Sequence, residues 1–382
     1  MAVLSSTNQP VNLRHAGLRQ ALGLMSGTSL DGIDIAAIVT DGERQVLAGP
    51  GLTLPYTEDF REGLRSVLGA AAPAALIAAV EDELTRLHAA AVAEFRRRHP
   101  EIAVDLVGFH GHTILHRPEE RRTWQIGDGA LLAMLVGVDV VADFRSADVI
   151  GGGEGAPLAP LYHAALAADR AKPLAFLNLG GVGNLTWIGE RAEDILAFDT
   201  GPGNALIDDW ARRHTGQAAD FDGRLALAGQ VSAAHVGRFL AHPYFKKAPP
   251  KSLDRDAFAA LLPDGLGAAD GAATLTEMTA AAVAAALPHL PTAPREWLVC
   301  GGGRHNPALM AALRRHLAPV SRVLPVEAAG WDGDALEAQA FAYLAVRSLR
   351  GLPLSLPTTT GAPCPLTGGR VFRAAGSPSS SR

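Results

Sequence analysis

Cysteine is nearly missing from this chain. Cys300 and Cys364 are the only two in 382 residues, too few for a disulfide framework, so a reducing compartment such as the cytoplasm is expected. Aromatic residues are scarce too, at 5% against 48% hydrophobic overall, so the core must be packed with Ala, Leu and Val. No sign of charge dominates. The net charge is -5 and the basic residues are scattered, which gives no electrostatic footing for nucleic acid or an anionic membrane. Anionic ligands must then be held by local groups. The Ala-rich runs are broken by charge or proline, and residues 1–17 lack the apolar centre of a signal peptide, so neither a span nor a leader is expected. The Gly-Lys-Ser/Thr signature of the P-loop is absent as well, which removes the commonest nucleotide site.

What is present suits two α/β domains, because a chain of this length exceeds one ordinary core. Residues 18–165 are expected to form the first and 166–372 the second, between disordered ends at 1–17 and 373–382. Ala21 to Met25 and Ile33 to Val39 have strand composition, and Val46 to Tyr56 follows as a third strand. Thr57 opens a helix, Ala75 to Arg98 has helical apolar spacing, and Val104 to Phe109 and Val138 to Val141 are strands ending in polar residues. A second series starts near Pro173: strand Leu174 to Leu179, turn Gly180 to Gly183, strand Asn184 to Ile188. Later, Trp297 to Cys300 feeds Gly301-Gly302-Gly303, and Asn306-Pro307 opens a helix. This alternation places ligands at strand ends.

The stretch Gly23 to Asp34, Gly-Leu-Met-Ser-Gly-Thr-Ser-Leu-Asp-Gly-Ile-Asp, is the densest in donors. Gly27 and Gly32 can take positive φ so that N–H groups converge, and Ser26, Thr28 and Ser29 add hydroxyls, which suits a phosphate; an ordinary hairpin turn has the same composition. His110, His112 and His116 follow a strand, as in some zinc hydrolases, but no further His, Asp or Glu cluster has ligand spacing, so a hydrogen-bonding loop fits better. Gly151-Gly152-Gly153-Glu154-Gly155-Ala156 approaches a dinucleotide fingerprint; Pro157 and Pro160 break the helix it would need. Asp199 follows an apolar strand and enters Thr200-Gly201-Pro202-Gly203, where it serves as a general base or as a helix N-cap. Glu337 lies in an otherwise apolar helix over Asp334 to Arg350, where by itself it reads as a solvated first-turn glutamate.

These stretches, with Gln125-Ile126-Gly127, Ala142-Asp143-Phe144-Arg145, Gly155-Ala156-Pro157-Leu158, Asn178-Leu179-Gly180-Gly181, Phe198 to Asn204 and Cys300 to Gly303, occur in an order and spacing that resembles the anhydro-N-acetylmuramic acid kinases. That family is a branch of the sugar kinase, heat-shock ATPase and actin superfamily. The resemblance implies two actin-like (ribonuclease H-like) α/β domains with a nucleotide cleft, and an ATP- and Mg²⁺-dependent kinase. It would open 1,6-anhydro-N-acetylmuramic acid to N-acetylmuramic acid 6-phosphate in peptidoglycan recycling, as a homodimer. By the same resemblance Asp199 is the base. The nucleotide would lie on Ser26, Gly27, Thr28, Ser29, Leu30, Asp31, Gly32 and Ile33, on Gly180, Gly181 and Asn184, and on Gly301, Gly302 and Gly303. The sugar would meet His110, His112, Thr113, Arg145 and Glu337. This chain departs from the family at His112, commonly Gln, and at Leu253-Asp254 after Lys251-Ser252, commonly Thr-Gly. Where the wider superfamily has aspartates, Met25 and Asn178 stand, so the metal ligands stay open, with Asp31 and Asp34 as candidates. A kinase or phosphatase of another small sugar or acid, and a non-catalytic sensor, are the rival readings.

Overall fold

The computed structural model describes residues 17–27, 30–253, 258–318 and 321–375. The chain begins with strands β1 (Arg19–Met25), β2 (Gly32–Thr40), β3 (Val46–Pro55) and β4 (Leu106–Phe109), passes through a separate ribbon of β5 (His112–Arg117) and β6 (Arg122–Ile126), and returns as β7 (Asp139–Ala142). A second series follows: β8 (Leu174–Leu179), β9 (Val182–Ile188), β10 (Ile195–Pro202), β11 (Glu296–Cys300) and β12 (Arg322–Pro325), with β13 (Arg370–Phe372) near the end. The first sheet has the order β13-β7-β4-β1-β2-β3 and the second β10-β9-β8-β11-β12. In both, a central strand pairs antiparallel with the hairpin strand that follows it and parallel with a strand reached by crossover. Two sheets on this one plan are the paired actin-like, ribonuclease H-like α/β arrangement.

Strand β1 is apolar on both faces because both are covered. Leu22 and Leu24 pack with Val92 and Phe95 of the helix Ala74–Arg98, while Ala21 faces the helix Leu336–Leu349. That second helix lies so close to the sheet that a Cβ on Gly23 would stand 1.6 Å from the Ala338 carbonyl oxygen, and one on Gly108 2.1 Å from that of Phe341. Only glycine fits there. Helix Leu336–Leu349 and β13 therefore belong to the first sheet, although both fall in the stretch 166–372 assigned from sequence to the second domain. A linear cut at 165 misses this return of the chain. Arg373 and Ala374, expected in a disordered tail, bond to the Asp139 carboxylate. Residues 1–16 and 376–382 lie outside the described residues. One apolar cluster joins the two sheets, running from Ala21 and Leu106 through Tyr162 and Phe341 to Phe176 and Leu298.

Candidate active site

The first hairpin closes over Ser26 to Asp31, with Leu30 N–H bonded to the Gly27 carbonyl at 3.1 Å. Thr28 and Ser29 lie outside the described residues. The turn uses its residues differently from the expectation. Leu30, not Gly32, takes the left-handed conformation, at φ 58°. Gly32 is extended, and glycine is needed there because a Cβ would sit 2.3 Å from the Leu54 carbonyl oxygen of β3. Ile33 is buried under the turn with Tyr56 and Phe60. Ser26 is buried as well: its Oγ accepts from the Tyr56 hydroxyl at 2.8 Å and lies 3.0 Å from His112 Nδ1. The Ser26 side chain thus points inward, which leaves backbone N–H as what this residue can offer an anion. His112 is fully buried with Nε2 unpartnered among the described residues, and burial pushes it down to about 4. The structure brings His112 to the underside of the hairpin.

His110, at the end of β4, is neutral: burial first and then the Arg145 charge hold it well below the usual imidazole range. Arg145 Nε donates to His110 Nε2 at 3.0 Å, so Nδ1 carries the proton and donates to the Gly111 carbonyl at 2.9 Å. The arginine reaches it because Asp143, at φ 58°, turns the chain just past β7. Its Nη1 also donates to the Gly155 carbonyl at 2.7 Å. Thr113, on β5, accepts from Gln125 Nε2 at 3.1 Å. Glu337 is exposed; desolvation by neighbouring protein raises its carboxyl, Arg145 opposes, and Asp34 adds to the rise. It also sits in the first turn of its helix, so both expectations for it describe the same placement. Asp34, on β2, accepts from Thr53 Oγ1 at 2.6 Å. Burial lifts it to about 6, with the Thr53 bond opposing and Asp31, Asp334 and Asp332 contributing. Asp34 also helps line a cavity of about 190 Å³ with Asp332 and Asp334.

In the second sheet Asn178, Asn184 and Asp199 are directly opposite one another on β8, β9 and β10. The turn between β8 and β9 is Gly180-Gly181 alone, since β9 already starts at Val182. A Cβ on Gly180 or Gly181 would meet nothing nearer than 3.9 and 3.8 Å, so nothing in the chain crowds that side of the turn. Gly203 is different: its Cβ would lie 2.1 Å from the Gly180 carbonyl oxygen. Gly301, at φ 72°, packs against Asn178 and Leu179, Gly303 packs against Leu179 and Asn204, and Gly302 lies beside Asn204. Three glycine turns thus meet above the ends of β8, β10 and β11.

Asp199 is not an N-cap. It lies inside β10, at a bulge before Gly201, and the next helix, Ala205–Thr215, starts after Asn204. A strap from the segment Tyr244 to Leu253 holds it. Asp199 N–H donates to the Lys251 carbonyl at 2.9 Å, the Leu253 N–H donates to Oδ2 at 2.8 Å, and the Tyr244 hydroxyl bonds to the Asp199 carbonyl. Burial lifts the carboxyl to about 7, the Leu253 bond opposes, and the Glu154 charge adds. A half-buried carboxylate balanced near neutrality is suited to take a proton from water.

The profile described as Anhydro-N-acetylmuramic acid kinase matches residues 19–374. The chain belongs to the anhydro-N-acetylmuramic acid kinase family. A curated member from Paramagnetospirillum magneticum is 59% identical over 356 residues, 92% of this chain and 98% of that protein. Members from Rhodospirillum rubrum and Acidiphilium cryptum are each 57% identical, covering 93% and 92% of this chain and 94% and 98% of theirs. All three bear the name anhydro-N-acetylmuramic acid kinase.

Within this family member, sequence reasoning missed Tyr56, Tyr244 and Glu154. Tyr56 sat in a strand run with no signal of its own, and Glu154 was hidden in a glycine run read as a rejected dinucleotide motif. Among the described residues no three His, Cys, Asp or Glu side chains group to hold a metal, and no helix is long and apolar enough to cross a membrane.

Proposed function

We propose that the chain is an ATP-dependent kinase of 1,6-anhydro-N-acetylmuramic acid that opens the anhydro bridge with water and phosphorylates O6. The observation that carries this is Asp199, a half-buried, strap-held carboxylate lifted to about 7 at the glycine turns. In this reading Asp199 takes a proton from water as the water oxygen bonds to the anomeric carbon. The bond from that carbon to O6 breaks, O6 bonds to the γ-phosphorus, and ADP leaves, giving N-acetylmuramic acid 6-phosphate. Arg145, His110 and Glu337 orient the sugar, with Thr113 and His112 beside them. The first hairpin from Ser26 to Ile33, the turns at 180–181 and 301–303, and Asn184 hold the nucleotide. Mg²⁺ in such sites takes one or two carboxylates plus phosphates and waters, and Asp34 with Asp31 fits that need; the ion supplies charge neutralisation. Homodimeric assembly belongs to the same reading.

The test is turnover of the anhydrosugar with ATP in ¹⁸O water, with the product read early, before anomeric exchange. Label is expected on the anomeric hydroxyl and none in phosphate. Asp199→Asn should lower turnover by roughly 10²- to 10⁴-fold, the usual worth of a positioned base. Label in phosphate, or near-normal turnover of the variant, returns the nucleophile to a sugar hydroxyl or the reaction to plain ATP hydrolysis.

A further inference from the structure

The glycine run at 151–155 has a structural purpose that the nucleotide does not use. It wraps the buried Asp148. A Cβ on Gly153 would lie 2.2 Å from Asp148 Oδ2, and Gly155, at φ 70°, would press its Cβ on Val149 at 2.5 Å. Asp148 accepts from Gly155 N–H at 2.7 Å, from Thr360 Oγ1 at 2.7 Å and from the Ser355 hydroxyl. Between these glycines stands Glu154, its N–H bonded to the Thr360 carbonyl at 2.7 Å. Its carboxylate Oε2 accepts from Ser252 Oγ at 2.9 Å. Ser252 lies between the two residues that grip Asp199: Lys251 through its carbonyl and Leu253 through its N–H. The same loop anchors Arg145, through the Gly155 carbonyl.

We propose that Glu154 is a positioning residue for the base, fixing the strap Lys251–Leu253, and with it the aim of Asp199, to the loop that also anchors Arg145. The inference rests on the reading of Asp199 as base. Arg145 and the strap that holds Asp199 are then both tied to the Asp148-centred loop. Glu154 also adds its charge beside Asp199. Other titratable groups stand around this pair. Tyr244 bonds to the Asp199 backbone, while Lys251 Nζ is turned away to the Tyr244 carbonyl and the Tyr244 and Phe198 rings. His116 and Arg145 flank Glu154.

Two measurements test it. Carboxyl ¹³C NMR of aspartate-labelled protein, with Asp199→Asn for assignment, reads the Asp199 titration without turnover. Glu154→Gln keeps an acceptor for Ser252 but removes the charge, so the Asp199 midpoint should move to lower pH; Ser252→Ala leaves the charge, so no downward move of this kind is expected. In turnover, Glu154→Ala and Ser252→Ala should each lower kcat roughly tenfold with KM for ATP unchanged, as loss of one charge-assisted hydrogen bond implies. The double variant should be no worse than either alone, and Glu154→Gln should recover most of kcat above the midpoint. An unmoved midpoint in Glu154→Gln, additive losses, or wild-type kcat in Glu154→Ala overturns the proposal. An inactive wild type instead overturns the kinase reading, while the NMR arm still decides the contact.

Discussion

At the residue scale, Asp199 ties stability and activity to pH with opposite signs. Its carboxyl is lifted by burial to about 7, against about 4 in an unfolded chain. Between those values the folded state holds a proton that the unfolded state has released, so this group's contribution to stability falls as pH rises through the window. In the proposed mechanism, by contrast, Asp199 accepts a proton only once its own is gone, so kcat should rise through about pH 7. Asp199→Asn removes a carboxylate that the fold is reluctant to ionise. The variant should therefore be more stable than the wild type at pH 8, by on the order of 1 kcal/mol after solvent relaxation, and the difference should close towards pH 4. Thermal melts of both proteins across pH 4 to 8 check this, and a variant less stable at pH 8 would contradict it. The placement of this residue was half legible in the sequence: an apolar strand running into a glycine turn located it, but left a base and an N-cap equally open. The cap is ruled out by the run of β10 through Asp199 and the later start of the next helix, and the partner that holds the carboxylate, Leu253, is more than fifty positions away, where no local pattern records it. Ser26 shows the same limit. Its hydroxyl was read as a phosphate donor, and only the distant Tyr56 and His112 show that it turns inward.

At the scale of elements, both hairpins were legible because apolar runs bounded by glycine have few other solutions. The helix Leu336–Leu349 was legible as a helix, but its destination was not. It is buried nearly all round, from Leu336 to Val346, so periodicity gives no face, and which sheet it covers depends on small residues far back in the chain. Gly23 and Gly108 decide it. Gly108→Ala would drive a methyl into the Phe341 backbone at 2.1 Å, where neither helix nor sheet can yield cheaply, and should cost roughly 3 kcal/mol, at the upper end for overpacking. Gly137→Ala is the control: φ is 71° and nothing lies within 4 Å of the added carbon, so only the left-handed backbone cost of roughly 1–2 kcal/mol applies. Denaturant unfolding of the two variants measures the gap. Equal losses would mean that the helix does not press on the sheet as described.

At the scale of the whole molecule, the reactive groups are divided between two bodies. Helix Leu336–Leu349 is keyed into the first sheet by glycine and carries Glu337 there, beside Arg145 and Asp34. Asp199 and the three glycine turns ride on the second sheet. The two are joined by one apolar cluster around Tyr162, Phe176 and Phe341 and by the Glu154–Ser252 bond, a joint about which closure would pivot. Glu337 faces solvent, so in the proposed reading water still reaches the side where the sugar would bind. The proposed coupled attack of water on carbon and of O6 on phosphorus would need bulk water excluded, save the attacking molecule. Binding of sugar and a non-hydrolysable ATP analogue together should therefore draw the bodies in and give a smaller radius of gyration by small-angle scattering, with either ligand alone giving less. Glu337→Gln, which keeps the side-chain shape but removes the charge that Arg145 feels, should reduce the sugar-dependent part of that change and leave the nucleotide-dependent part. Scattering curves that coincide with and without both ligands at saturation would mean that the cleft already stands in its working geometry, and that exclusion of water falls to the substrates themselves.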